Sequence, residues 1–113
     1  MSRDYHLFLR DMQESCSKIL RYTHGITLAK FLGDEKTFDA VLRNLEIVGE
    51  AVKQIPLDVR TRYPEVEWRK IAGLRDIIAH EYFGIDTDIL WDVIQNRIPA
   101  LRADLHRILA EID

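Results

Sequence analysis

Arg75, Asp76, His80 and Tyr82 place a permanent cation, a carboxylate, an imidazole and a phenol on one short stretch, Arg75-Asp76-Ile77-Ile78-Ala79-His80-Glu81-Tyr82. Arginine presents a planar fork of donors that matches phosphate or carboxylate oxygens. Histidine, with an ordinary pKa near ~6.5, takes up or releases a proton close to neutral pH. Asp76, four residues before His80, is within reach of one imidazole nitrogen. Together these groups suit acid–base chemistry on an anionic substrate.

Each residue also has a plainer reading. Arg75 can be an interface arginine paired with a carboxylate, or one lying along Trp68. His80 can be an exposed histidine with no task, Asp76 a surface carboxylate, and Tyr82 an aromatic in an apolar stripe.

Metal chemistry is not expected, because His6, His24, His80 and His106 share no ligand spacing and there is a single cysteine, Cys16. That lone cysteine cannot close a disulfide within the chain, and no charged-then-apolar leader opens the sequence, so a reducing cytoplasm is the expected compartment. No apolar run reaches the ~20 residues that cross a bilayer. A formal net charge of −3 argues against a protein that coats nucleic acid by bulk electrostatics. Contact with a polyanion must then rest on a local patch, for which Arg60, Arg62, Arg69, Lys70, Arg97 and Arg102 are candidates against the plainer reading of solvated faces.

The elements that position these groups are helical. Tyr5, Phe8, Leu9, Met12, Cys16, Ile19 and Leu20 share one arc of a helix, and Val41, Leu42, Leu45, Val48, Val52 and Ile55 share another that runs from Phe38 to Pro56. Thr23 to Gly33 reads as a connection with at most a helical turn, and Asp34 offers a cap to the helix that follows. Gly49, inside an apolar stripe, signals close approach of another backbone rather than a catalytic role. Leu57 to Pro64 is a short piece bordered by prolines. A third helix runs from Trp68 to about Phe83 and is closed by Gly84. Asp86 or Thr87 caps a last helix whose apolar phase, from Leu90 to Ile112, survives Pro99, which is expected to kink it rather than end it. Strand patterns are absent, so the expectation is an all-α bundle of four main helices in a single domain spanning residues 1–113.

The third helix departs from a simple bundle helix. Its apolar positions, including Trp68, Ile71, Leu74, Ile78 and Tyr82, spread over about half the circumference, which predicts burial on two sides and a second chain against one of them. Arg75 points into that arc and needs an anion or acceptor there. His80 points about 140° away, so the two converge most easily if the helix end distorts or if two protomers pool their copies.

The pattern Arg, four residues, His, one residue, Tyr at Arg75, His80 and Tyr82 resembles the motif of HepT-like proteins of the HEPN superfamily. Arg43-Asn44-Leu45-Glu46-Ile47-Val48-Gly49-Glu50-Ala51 is similar to the family's second-helix segment, and Trp68-Arg69-Lys70-Ile71-Ala72-Gly73-Leu74 to its run into the motif. The resemblance covers nearly the whole chain. It implies a four- to five-helix, up-and-down bundle acting as a homodimer, and a metal-independent endoribonuclease with its cleft at the dimer interface. It also implies a partner, a minimal nucleotidyltransferase antitoxin that silences the toxin by moving AMP from ATP onto Tyr82. The chain itself would need no cofactor.

Under that resemblance, catalysis falls to Arg75 and His80. Cleavage needs the 2′-OH activated and the departing 5′-oxygen protonated, for which His80 serves as general base or acid, while Arg75 holds the phosphate charge. Asp76 and Tyr82 take supporting roles. Alternatives are a non-catalytic HEPN module that binds nucleotide or the transferase, and a structural helical assembly protein.

Overall fold

The computed structural model describes residues 4–80 and 86–112, apart from the side chains of Asp4, Ile77, Ala79 and His80. Among the described residues every regular element is a helix: α1 (Asp4–Thr23), α2 (Leu28–Gly33), α3 (Glu35–Val52), α4 (Leu57–Arg62), α5 (Trp68–His80), α6 (Thr87–Asp92) and α7 (Ile98–Ile112), with a π turn over Val93–Arg97 joining the last two. The all-α bundle expected from the sequence is present. Its four long units are α1, α3, α5 and the run from α6 through α7.

The stripes fix the packing. In α1, Leu9, Met12, Cys16 and Ile19 recur at three- and four-residue intervals and are fully buried. α1 packs against α3 and α7, and α3 packs against α5. Val41, Leu45, Val48 and Val52 of α3 meet Ile94, Ile98, Leu105 and Ile108 in one continuous core. Burying such side chains contributes about 1.5–3 kcal/mol each before the entropy of ordering them is subtracted.

The region between α1 and α3 is more ordered than the sequence suggests. Gly25 takes φ +73°, the left-handed conformation that follows a helix end. Thr27 Oγ1 then accepts from Lys30 N at 3.2 Å and starts the one-and-a-half turns of α2. Its Phe31 is fully buried, with ring centroids of Phe38 and Trp91 at 5.3 and 5.4 Å. Tertiary burial, not periodicity, makes this helix.

α3 ends at Val52, short of Pro56. Proline disfavours helical geometry in the residue before it, and the chain tightens through Lys53 N to Glu50 O, Gln54 N to Ala51 O and Ile55 N to Val52 O. The short piece after Pro56 is the six-residue helix α4. Pro99 does not end the last helix, as expected. Its missing N–H lies just beyond the π turn, where Ile98 N donates to Val93 O five residues back. Asp86 caps α6, its carboxylate accepting from Asp88 N at 3.0 Å and Ile89 N at 3.2 Å. No described helix is long and apolar enough to cross a membrane.

Candidate active site

Arg75 sits where α5 crosses α3. A Cβ added to Gly49 would stand 3.0 Å from Arg75 N, 3.1 Å from Arg75 Cβ and 3.2 Å from Ile71 O. Only glycine lets the two backbones seat this closely, so the packing reading of Gly49 holds and gains a purpose: it sets the position of Arg75.

Glu50 follows Gly49 on α3, and its Oε2 lies 2.6 Å from Arg75 Nε. The anion that the apolar arc demanded for Arg75 is this carboxylate, in an ion pair. Among the described residues the other ion-pair contact of Arg75 is NH1 to Asp76 Oδ1 at 3.8 Å, beyond hydrogen-bond range. Arg75 is not deeply buried. Its side chain is 40% exposed and that of Glu50 51%, so the pair is solvated and contributes on the order of 0–1 kcal/mol to stability. Its value is therefore in arrangement rather than in holding the fold.

The pair opens onto a cleft of about 670 Å³ between α1, α3 and α5, which Asp11, Arg43, Glu46 and Gln54 also line. Arg43 is tied to Glu46 at 3.1 Å. An anion entering the cleft meets arginines whose charge is already partly matched, so it must approach through their unengaged nitrogens.

His80 is the last described residue of α5. Its side chain and the whole of Tyr82 lie outside the described residues, as do Phe83 and Gly84, so the expected end of the third helix lies there too. Asp76 is exposed on α5, and its ion-pair contact is with Arg75. Among the described residues no group of three or more His, Cys, Asp or Glu is arranged to hold a metal ion.

Three of the six candidate patch cations are engaged by neighbouring side chains. Lys70 and Arg97 both pair with Glu67, whose carboxyl is held below the usual carboxylate range, first by its hydrogen bond from Lys70. Arg102 Nε donates to Ser17 Oγ at 2.9 Å. The solvated-face reading fits these residues better than a patch for a polyanion.

α5 keeps an incompletely covered apolar face. Trp68 is buried, its Nε1 donating to Tyr63 O at 2.9 Å, whereas Ile71, Ala72, Leu74 and Ile78 are only half-buried. Beside them runs a groove of about 630 Å³ between α5 and the last helix, floored by residues such as Val66, Leu74, Val93 and Leu101 and edged by the exposed Ile89.

Glu50 is the site residue that the sequence left without a role. It was visible inside the segment around Gly49, and the signal that could have singled it out is its place directly after a glycine that brings in a second helix.

The model of the family described as "Ribonuclease HepT-like" matches residues 12–108. A Methanocaldococcus jannaschii protein named "Putative RNase MJ0127" is 40% identical over 111 residues, covering 98% of this chain and 92% of the relative. "Probable ribonuclease HepT" of Thermococcus cleftensis is 40% identical over 108 residues, covering 96% of this chain and 98% of the relative. "Putative RNase TTE0752" of Caldanaerobacter subterraneus subsp. tengcongensis is 37% identical over 102 residues, covering 90% and 91%. No solved structure gives a significant match. With a helical bundle that seats Arg75 against the Gly49-Glu50 step, and a family model that spans most of its length, the chain belongs to the HepT-like ribonuclease family of the HEPN superfamily.

Proposed function

We propose that this protein is a metal-independent endoribonuclease that works as a homodimer and serves as the toxin of a toxin–antitoxin pair. The observation that carries the reading is the placement of Arg75: a guanidinium held at a cleft by α3, on the same helix as His80. The relatives' names supply the substrate class, RNA.

The reaction asks three things of the protein. A base removes the proton of the 2′-OH, the oxygen attacks phosphorus as the bond to the 5′-oxygen breaks, and an acid returns a proton to that oxygen. The products are a 2′,3′-cyclic phosphate and a 5′-OH end. His80 is the proton-transfer group and Arg75 the stabiliser of charge on the phosphoryl oxygens. Asp76 and Tyr82 support them. Side chains five residues apart diverge by about 140° on one helix, so two protomers together supply a complete set more readily than one. The half-buried apolar face of α5 and the neighbouring groove favour such a partner copy.

Regulation follows from the resemblance. A cognate nucleotidyltransferase uses ATP to place AMP on Tyr82, setting a bulky anion near Arg75 and obstructing RNA. The second reading, a non-catalytic module that binds nucleotide or the transferase, draws on Arg75 being already paired with Glu50.

One experiment separates them: wild type, Arg75→Ala and His80→Ala are incubated with RNA and the ends are mapped. New 5′-OH ends from wild type alone support the ribonuclease. A loss of 10²–10⁴-fold is expected for His80→Ala, the usual weight of acid–base catalysis. Equal behaviour of all three chains supports the binding module.

A further inference from the structure

Resting on the ribonuclease reading, we infer that Glu50 is a positioning residue for the reaction: it holds the Arg75 guanidinium by its Nε edge so that the two terminal nitrogens face the cleft for a phosphate.

The geometry has two parts. Gly49 locks the backbones of α3 and α5 together at Arg75, so the starting points of both side chains are fixed. From there Glu50 Oε2 reaches to 2.6 Å from Nε, while among the described residues NH1 has no carboxylate closer than Asp76 at 3.8 Å. A carboxylate that engages this fork most strongly makes two parallel N–H···O contacts. The contact with Glu50 is instead at Nε, the inner edge of the guanidinium.

An arginine side chain that is 40% exposed would otherwise sample many rotamers, and ordering it on substrate binding costs up to ~2 kcal/mol. Ordering it beforehand moves that cost from the reaction to folding, and a misplacement of ~1 Å at such a group can lower a rate by about 10²-fold. Bare electrostatics predicts the opposite sign. Removing a carboxylate from a cleft that binds RNA should tighten binding and speed the reaction. The two effects are therefore separable by measurement.

The test compares wild type, Glu50→Ala, Arg75→Ala and the double variant. The readouts are kcat and KM on an RNA oligonucleotide and the affinity for its 2′-deoxy analogue, at temperatures well below each variant's Tm. Glu50→Ala should lower kcat by about tenfold or more while changing analogue affinity much less. The double variant should be no slower than Arg75→Ala, because Glu50 acts only through Arg75. An unchanged or faster Glu50→Ala, or additive losses in the double variant, overturns the role of Glu50 while the ribonuclease reading stands. A wild-type chain that does not cleave overturns both.

Discussion

Gly49 and Arg75 touch through a side chain that is not there: the nearest point to a Cβ on Gly49 is the Arg75 backbone nitrogen, at 3.0 Å. Gly49→Ala gains about 1 kcal/mol in helix propensity but forces a methyl against a neighbouring backbone, and overpacking of that kind costs ~1–3 kcal/mol. The crowded atoms are two of the α5 backbone and the Arg75 Cβ that the backbone fixes, and none can swing aside, so the loss wins. Thermal melting should show Gly49→Ala destabilised by up to ~2 kcal/mol, and its cleavage at low temperature should fall further than the unfolded fraction explains. A variant as stable and active as wild type contradicts the close crossing.

Burial pushes the Cys16 thiol up to about 12, with Arg102 only partly offsetting it. Since the thiolate is the reactive form, iodoacetamide should leave Cys16 unmodified at neutral pH and label it once the chain is unfolded. The folded value lies above the ordinary 9.0, so the stabilisation linked to this group is complete below pH 9.0 and is lost as the pH rises towards about 12. Cys16→Ala should remove that alkaline contribution, which pH-dependent melting would detect. Rapid labelling of the native protein would refute the buried placement.

If His80 moves the protons and Arg75 holds the charge, no bound cation is needed for cleavage. Exhaustive dialysis against EDTA should leave the rate on RNA unchanged. Loss of activity that is restored by added Mg²⁺ would sink the metal-independent mechanism.

The half-covered face of α5 predicts self-association. Sedimentation equilibrium should return twice the 13.3 kDa of one chain, and specific activity should fall on dilution below the dissociation constant. A monomer that cleaves at full specific activity at every concentration would remove the shared-site model.

Features carried by local spacing were legible in the sequence. The stripe of α1, the caps at Asp34 and Asp86, and the survival of the last helix through Pro99 each depend on residues within one or two turns of each other. Gly49 was legible as a close approach because a glycine in an apolar stripe has few other uses. The partner of Arg75 was not. Nineteen acidic residues are candidates, and only the crossing of α3 over α5 selects Glu50. α2 escaped because a six-residue helix is too short to show a period, and the π turn because i to i+5 bonding leaves no spacing rule of its own. Lys70 and Arg97 looked free as residue types, yet both are bound to Glu67.

Asp34 ends α2 with its backbone N–H on Phe31 O and opens α3 with its carboxylate on Thr37 N and Thr37 Oγ1. A corner made of one residue has no slack, so anything spliced into it must unpick two helix ends at once. A fluorescent tag, a protease site or new termini made by circular permutation should be tolerated around the exposed His24 and Gly25, and should cripple expression when placed at Asp34. For anyone building a split or inducible form of this protein, the usable seam lies before α2, not after it.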